Sequence, residues 1–341
     1  MVLVTGGTGF LGAHLLYHLL NEGEDVRALK RSEAQLDVTK VVFSYYHPNP
    51  ETLLDKIEWV EGDLLDIFSL ENAMDGIEEV YHCAAHVSFL PADKDIMMKT
   101  NITGTANLVN IALEKKIKKF CHVSSIAAIG RADNDKPINE EVVWKTSKKN
   151  SNYAKSKYGA EKEVWRGIEE GLNAVIVNPS VILGPGDLQS GGGKLIRMVR
   201  KGFGFYTEGV NGYVDVRDVV KAMYLLMKSD ITNERFIVSS ENVSYKDIIS
   251  TIAEYVSKRP PRFKATPLMS EIVWRLVKLQ SMITGKKPFI TKETAETARN
   301  KYYYTSKKLV DALDFEFISV NDSLFDSCEL FLKVVDSKPE Q

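Results

Sequence analysis

Tyr153 and Lys157 stand four residues apart in Tyr153-Ala154-Lys155-Ser156-Lys157, a phenol and an ammonium at proton-transfer spacing. On a helix that spacing puts both side chains on one face. A phenol with its ordinary pKa of ~10 is a poor acid or base at neutral pH. A fixed cation beside it favours the phenolate and brings the pKa towards the working range. An amphipathic surface pair has the same spacing, so the motif needs company to carry a reaction.

Its company begins at the N-terminus. Thr5-Gly6-Gly7-Thr8-Gly9-Phe10-Leu11-Gly12 follows an apolar run and opens a segment of helical period. Gly6 permits a tight turn, Gly9 lets the backbone approach a pyrophosphate, and Gly12 allows close packing of helix on strand. The helix N-terminus then offers unpaired N–H groups and a positive dipole end to the anion. A plain tight turn is the competing reading, and the strand–turn–helix context argues against it. The next strand ends in Leu29-Lys30-Arg31-Ser32, with Glu24 and Asp25 before it rather than after it. The ribose-binding carboxylate of an NAD site is therefore missing from its place, while Arg31 can pair with a 2′-phosphate and Lys30 adds charge. NADP(H) is the expected cofactor, NAD(H) the alternative, and a solvated basic pair the bland reading. Asp63, in Gly62-Asp63-Leu64, is placed to accept from an adenine amino group or to cap a helix. Ala84 and Ala85 supply small side chains where a cofactor runs along a strand end.

The elements that must hold these residues follow from periodicity. Val2-Leu3-Val4, Val26–Leu29, Ile57–Val60, Val80–Ala84, Phe120–Ser124 and Ala174–Val177 read as strands. Helical segments run over Phe10–Leu20, about Ile96–Leu113 and about Asn152–Glu169. Strands alternating with helices predict an α/β Rossmann-type doubly wound parallel sheet, covered on both faces. After Pro179 the rhythm changes: Gly184-Pro185-Gly186, Gly191-Gly192-Gly193 and Pro260-Pro261 punctuate a more helical region. The expected division is a dinucleotide-binding domain over 1–180 plus about 209–242. A smaller, mainly helical substrate domain takes about 181–208 plus 243–341. Leu268, Met269, Ile272, Leu276, Leu279 and Ile283 form a stripe at helical spacing, expected to pack in a core, with a substrate lid or partner face as the other readings.

Composition sets the class. Hydrophobic residues are 44% and charged residues 26%, enough apolar material for a packed core rather than disorder. The 44 basic against 46 acidic residues leave a net charge of −2, without the basic excess of a nucleic-acid binder. Cys83, Cys121 and Cys328 are odd in number and far apart, which fits a reducing compartment. No signal peptide or membrane span is expected, so the expected location is the cytoplasm. His82, Cys83, His86, Cys121 and His122 match no zinc spacing, and no metal is expected.

The glycine loop, Ser124-Ser125 after a strand, then Tyr153 and Lys157, in that order, resemble the extended short-chain dehydrogenase/reductase family across nearly the whole chain. The dihydroflavonol-reductase-like branch of the epimerase/dehydratase superfamily is the nearest likeness. Asp215-Val216-Arg217-Asp218-Val219 and Ser306-Lys307-Lys308 add less specific support. The resemblance implies Tyr153 as general acid/base and Lys157 as the residue that holds the nicotinamide ribose and tunes the phenol. It implies Ser125, five before Gly130, as the hydroxyl on the substrate oxygen, and Asn101 as a supporting helix asparagine. The implied cofactor set is Gly6, Thr8, Gly9, Phe10, Leu11, Lys30, Arg31, Asp63, Leu64, Ala84, Ala85, Pro179 and Ser180, with Tyr153 and Lys157. His86, Val87, Ser88, Phe89, Phe203, Phe205 and Tyr206, with the Leu268–Ile283 helix, are candidates to line the substrate pocket. The loop from Ser125 to Tyr153, with Asp133, Asn134 and Asp135, leaves the local geometry open.

The implied activity is NADPH-dependent reduction of a small-molecule carbonyl by hydride transfer. Relatives that epimerise or dehydrate sugar nucleotides carry an asparagine and an arginine on the substrate diphosphate. Here Val181 and Asn211 occupy those places, which argues against that alternative. A catalytically silent cofactor-binding protein is the third reading, opposed by the presence of Ser125, Tyr153 and Lys157. A homodimer through the helices of Asn101 and Tyr153 is a further implication of the resemblance.

Overall fold

Short runs of β-branched and aromatic residues form twelve strands among the described residues. These are β1 (Val2–Thr5), β2 (Val26–Lys30), β3 (Glu58–Glu61), β4 (Glu79–His82), β5 (Lys119–Val123) and β6 (Ala174–Pro179). Then come β7 (Val181–Leu183), β8 (Phe205–Tyr206), β9 (Val210–Asp215), β10 (Glu234–Val238), β11 (Glu241–Ser244) and β12 (Phe263–Lys264). The computed structural model describes residues 1–32, 34–131, 137–147, 150–188, 191–284 and 291–336. Asp133, Asn134 and Asp135 lie outside them.

Seven strands make one parallel sheet in the order β10-β6-β5-β4-β1-β2-β3. The period of two along a strand divides its residues between two cores. Val2 and Val4 pack with Leu15, Phe43, Val177 and Phe236 on one face. Leu3 packs with Leu70, Leu108, Phe120 and Ile176 on the other. The helices that cover these faces are α1 (Phe10–Asn21), α2 (Asp37–Tyr46), α3 (Glu51–Leu54), α4 (Ile67–Ala73), α5 (Lys94–Met98), α6 (Gly104–Glu114) and α7 (Asn152–Glu169). After β1 the chain builds outward to β2 and β3, then returns to the other side of β1 with β4. That reversal opens a crevice at the carboxyl ends of β1 and β4, where ligands of such sheets bind.

The remaining helices are α8 (Gly191–Arg200), α9 (Val216–Lys228), α10 (Tyr245–Tyr255), α11 (Pro267–Thr284), α12 (Lys292–Thr297), α13 (Lys307–Leu313) and α14 (Val320–Asp336). A third core joins Leu183, Ile196, Tyr213, Ile252, Leu324 and Phe331 beneath the three-stranded sheet β11-β9-β7. Leu309 and Phe315 return to the first core. The Asp215-Val216-Arg217 motif joins the parts. Asp215 caps α9 at the Arg217 N–H (2.7 Å) and pairs with its guanidinium, which reaches Asp326 of α14 at 2.7 Å.

Two expectations change. The stripe on α11 is not core: Leu268 is 70% exposed and Leu276 60%, with Ile272 and Leu279 also exposed. The helix packs on α12, and its apolar spacing records a face rather than burial. The Ile283 side chain lies outside the described part. The helix expected over Ile96–Leu113 carries a π turn, Lys99–Thr103, between α5 and α6. That turn holds Asn101, which is 2% exposed.

Candidate active site

The glycine turn is shaped by its neighbours. Gly6 has φ of +76°, and a Cβ there would stand 2.7 Å from the Ala84 backbone nitrogen. A Cβ on Gly12 would strike the Gly6 carbonyl. Gly9 is the N-cap of α1 and brings no side chain to its first turn, leaving those N–H groups bare. Thr5 Oγ1 bonds His82 Nδ1 at 2.8 Å and accepts from the Ala84 N–H at 3.2 Å, which locks the ends of β1 and β4 together. Thr8, Phe10 and Leu11 continue from this turn half-buried, and Ala84 and Ala85 are half-buried along the far wall.

At the end of β2, Lys30 faces Glu61 of β3 at 3.8 Å, while Arg31 is exposed. Asp63 does not cap α4, whose N-cap is Asp66; its Oδ1 accepts from the Leu65 N–H at 2.8 Å. Leu64 is buried against Gly104. Pro179 and Ser180 are buried at the end of β6, and the Ser180 hydroxyl has no partner among the described residues.

Ser125, Tyr153 and Lys157 meet at the carboxyl ends of β4 to β6. Ser125 follows β5, is buried, and accepts from the Ala127 N–H at 3.1 Å. The Tyr153 hydroxyl is hydrogen-bonded to Ser125. Lys157 is 3% exposed and its Nζ donates to the Val123 carbonyl at 2.7 Å. Burial pushes its pKa down to about 8, against the opposing charges of Glu161 and Cys83. The phenol differs from expectation. Burial raises the Tyr153 pKa and only the Ser125 hydrogen bond opposes this, because Lys157 is turned to the Val123 carbonyl. In this geometry Tyr153 is held as a proton donor rather than as a phenolate.

Asn101 clamps the loop after β4. Its Oδ1 accepts from the His86 N–H (2.7 Å), and its Nδ2 donates to the His86 carbonyl and to Ser156 Oγ, each at 3.0 Å. Ser156 in turn donates to the Tyr153 carbonyl at 2.8 Å. Ser88 donates to Asp93 (2.7 Å), which lies 3.8 Å from the His86 ring. The ring that meets Tyr153 is Phe89, edge-on with centroids 5.5 Å apart. Phe205 and Tyr206 lie on β8, which pairs with β12; Phe205 packs on Phe203 and Phe263, and Lys246 covers Tyr206.

Two residues absent from the sequence reading complete the site. Glu161, buried one turn beyond Lys157, accepts from Ser124 and Asn178, and Asn178 also donates to the Ser125 carbonyl at 3.0 Å. The four-residue recurrence of Tyr153, Lys157 and Glu161 is the signal that marked it. Glu293 of α12 is hydrogen-bonded to Ser151, the N-cap of α7, and burial raises its pKa. That contact brings α12 over the start of the helix bearing Tyr153.

Residues 2–239 match the family described as NAD dependent epimerase/dehydratase. A putative dihydroflavonol 4-reductase of Synechocystis sp. is 30% identical over 335 residues, 96% of this chain and 93% of the relative. A cinnamoyl-CoA reductase 1 of Petunia hybrida is 27% identical over 270 residues, 76% of this chain and 78% of the relative. Among solved structures, that of gox2253 superposes with a TM-score of 0.80 at 28% identity, covering 98% of each chain.

Proposed function

The chain belongs to the NAD dependent epimerase/dehydratase family, and on that premise we propose that it reduces the carbonyl group of a small organic substrate with NADPH. It is an NAD(P)-dependent oxidoreductase of the extended short-chain dehydrogenase/reductase type. The observation that carries the reading is the Tyr153 hydroxyl, hydrogen-bonded to Ser125 and one helical turn from the buried Lys157. Relatives named as reductases support the direction of the chemistry.

A nicotinamide dinucleotide fits the crevice on the chain's own terms. Gly6 and Gly12 sit where any Cβ meets backbone, and the bare N-terminus of α1 suits a pyrophosphate. Lys30 and Arg31 would hold a 2′-phosphate, and Lys157 the nicotinamide ribose. Bound there, the cofactor supplies the hydride for the carbonyl carbon. Tyr153 gives its proton to the carbonyl oxygen, so the ketone or aldehyde leaves as an alcohol. Ser125 donates to the same oxygen as negative charge develops on it. Asn101 and Ser156 hold the phenol and the His86 loop in register, and Phe89 offers an apolar wall suited to an aromatic or otherwise apolar carbonyl compound.

The sugar-nucleotide alternative has little support in this pocket. Val181 carries no polar group, and Asn211 is buried with its Oδ1 on the Gly212 N–H (3.0 Å) and a bond to Tyr245. The division into a dinucleotide-binding and a substrate domain, and dimerisation through α6 and α7, belong to the same proposal.

The test is turnover of carbonyl probes with NADPH. Tyr153→Phe is expected to abolish it while leaving NADPH binding, read by fluorescence, within about threefold. Surviving turnover in the variant overturns the acid assignment. A wild-type protein that binds NADPH and reduces no carbonyl favours the silent cofactor-binding reading.

A further inference from the structure

Glu161 lies one turn beyond Lys157, so Tyr153, Lys157 and Glu161 recur every four residues along one face of α7. It is 1% exposed, and its carboxylate accepts from two strands, from the residue after β5 and from its own helix. Oε2 accepts from Ser124 Oγ (2.6 Å) and Asn178 Nδ2 (2.8 Å). Oε1 accepts from Arg235 Nη1 (3.0 Å) and Trp165 Nε1 (3.3 Å). Arg235 is itself held by the Glu140 and Val142 carbonyls. Ser124 and Asn178 both touch the segment of Ser125, one through the chain and the other through the Ser125 carbonyl.

A buried ion pair is costly, and a hydrophobic pair of similar volume would often serve stability as well. This carboxylate instead ties the carboxyl ends of β5 and β6, where the reacting groups meet, to the helix that carries the acid. We propose that Glu161 is a positioning residue for carbonyl reduction, fixing the segment of Ser125 and holding Lys157 as the ammonium ion. The proposal rests on the Ser125–Tyr153–Lys157 reading above. The groups around Lys157 are few and come from three elements. Glu161 faces it along α7, Cys83 from the end of β4, and His82 and His122 from β4 and β5, both buried and kept neutral. Arg235 of β10 faces Glu161 from the other side.

The experiment measures NADPH binding by fluorescence and NADPH oxidation with phenanthrenequinone and cinnamaldehyde, both across pH. Glu161→Gln keeps the volume and removes the charge. Its alkaline loss of NADPH affinity is expected to begin about one pH unit lower than in the wild type, with kcat down by about tenfold or more. Glu161→Asp keeps the charge, so its alkaline limb should return to the wild-type position. Ser124→Ala should lower kcat several-fold and leave the limb unmoved. An unmoved limb in Glu161→Gln overturns the proposal, as does an unchanged kcat in Ser124→Ala should Glu161→Gln fail to fold. If neither probe is turned over by the wild type, the limb in NADPH binding decides. Turnover that survives Tyr153→Phe instead refutes the underlying site, a result separable from these.

Discussion

Lys157→Met is expected to change how stability depends on pH, in a direction fixed by the burial of the amine. In the folded chain Lys157 titrates at about 8, against an ordinary value of 10.5 that it regains on unfolding. Below pH 8 it is charged in both states, and folding must strip water from the charge. Between the two values the unfolded chain binds more protons than the folded one, so this residue makes stability rise with pH. The full shift amounts to about 3 kcal/mol, and about 2 kcal/mol of it is recovered between pH 7 and pH 9.5. Buried tyrosines and cysteines act the other way, because their pKa values are raised on folding. They are common to both proteins and cancel in the comparison. Urea midpoints followed by circular dichroism at the two pH values give the four free energies needed. The wild type should gain about 2 kcal/mol on the variant over that interval. Its starting point can lie on either side, since methionine relieves a buried charge but leaves the Val123 carbonyl without its donor. A difference that stays constant with pH refutes the reasoning and places the ammonium in a wetter site.

Arg31→Asp should weaken NADPH by roughly tenfold to a hundredfold, the worth of one charge-assisted pair, with NADH little changed; equal losses in a fluorescence titration would sink the 2′-phosphate assignment. Gly6→Ala forces a side chain into φ of +76° and against the Ala84 backbone. It should cost about 1–2 kcal/mol for the conformation alone and abolish the rise in melting temperature on adding NADPH, so an undiminished rise counts against the turn as the cofactor cradle. Leu276→Ser, on the exposed face of α11, should shift stability by no more than about 0.5 kcal/mol. Phe236→Ala, in the large core, should lose about 3–5 kcal/mol, and comparable losses in chemical denaturation would show the α11 face to be covered.

Much of this site was legible because its chemistry depends on local spacing. Gly6, Gly9 and Gly12 announce a turn that only glycines can make, and the structure gives the reason at Gly6 and Gly12 in backbone contacts. Tyr153 and Lys157 reach one place through the helical repeat alone. The parallel sheet followed from apolar runs separated by helices, since the inner strands are buried on both faces. What escaped depends on distant pairing. α2 went unread, although Val42 and Phe43 are buried in the first core, because a ten-residue helix between two strands leaves a short periodic signal. The α11 stripe was misplaced because periodicity records that one face is apolar and is silent on whether anything covers it. Glu161 went unread because its partners Ser124, Asn178 and Arg235 come from distant parts of the chain.

The raised pKa of Tyr153 shows how spacing can suggest a pair without fixing its ionisation. Spacing put a cation next to the phenol in sequence, but charge acts through the distance and orientation of the ammonium, and Nζ is held by the Val123 carbonyl. The same burial that depresses Lys157 raises Tyr153, so the two titrations approach each other from opposite sides. A phenol kept neutral by burial is the state a proton donor starts from, and Ser125 is the group that favours the phenolate donation leaves behind. On the proposed reading, the polar network of Ser124, Asn178, Glu161 and Arg235 acts on the reaction by holding the segment of Ser125 against the helix of Tyr153.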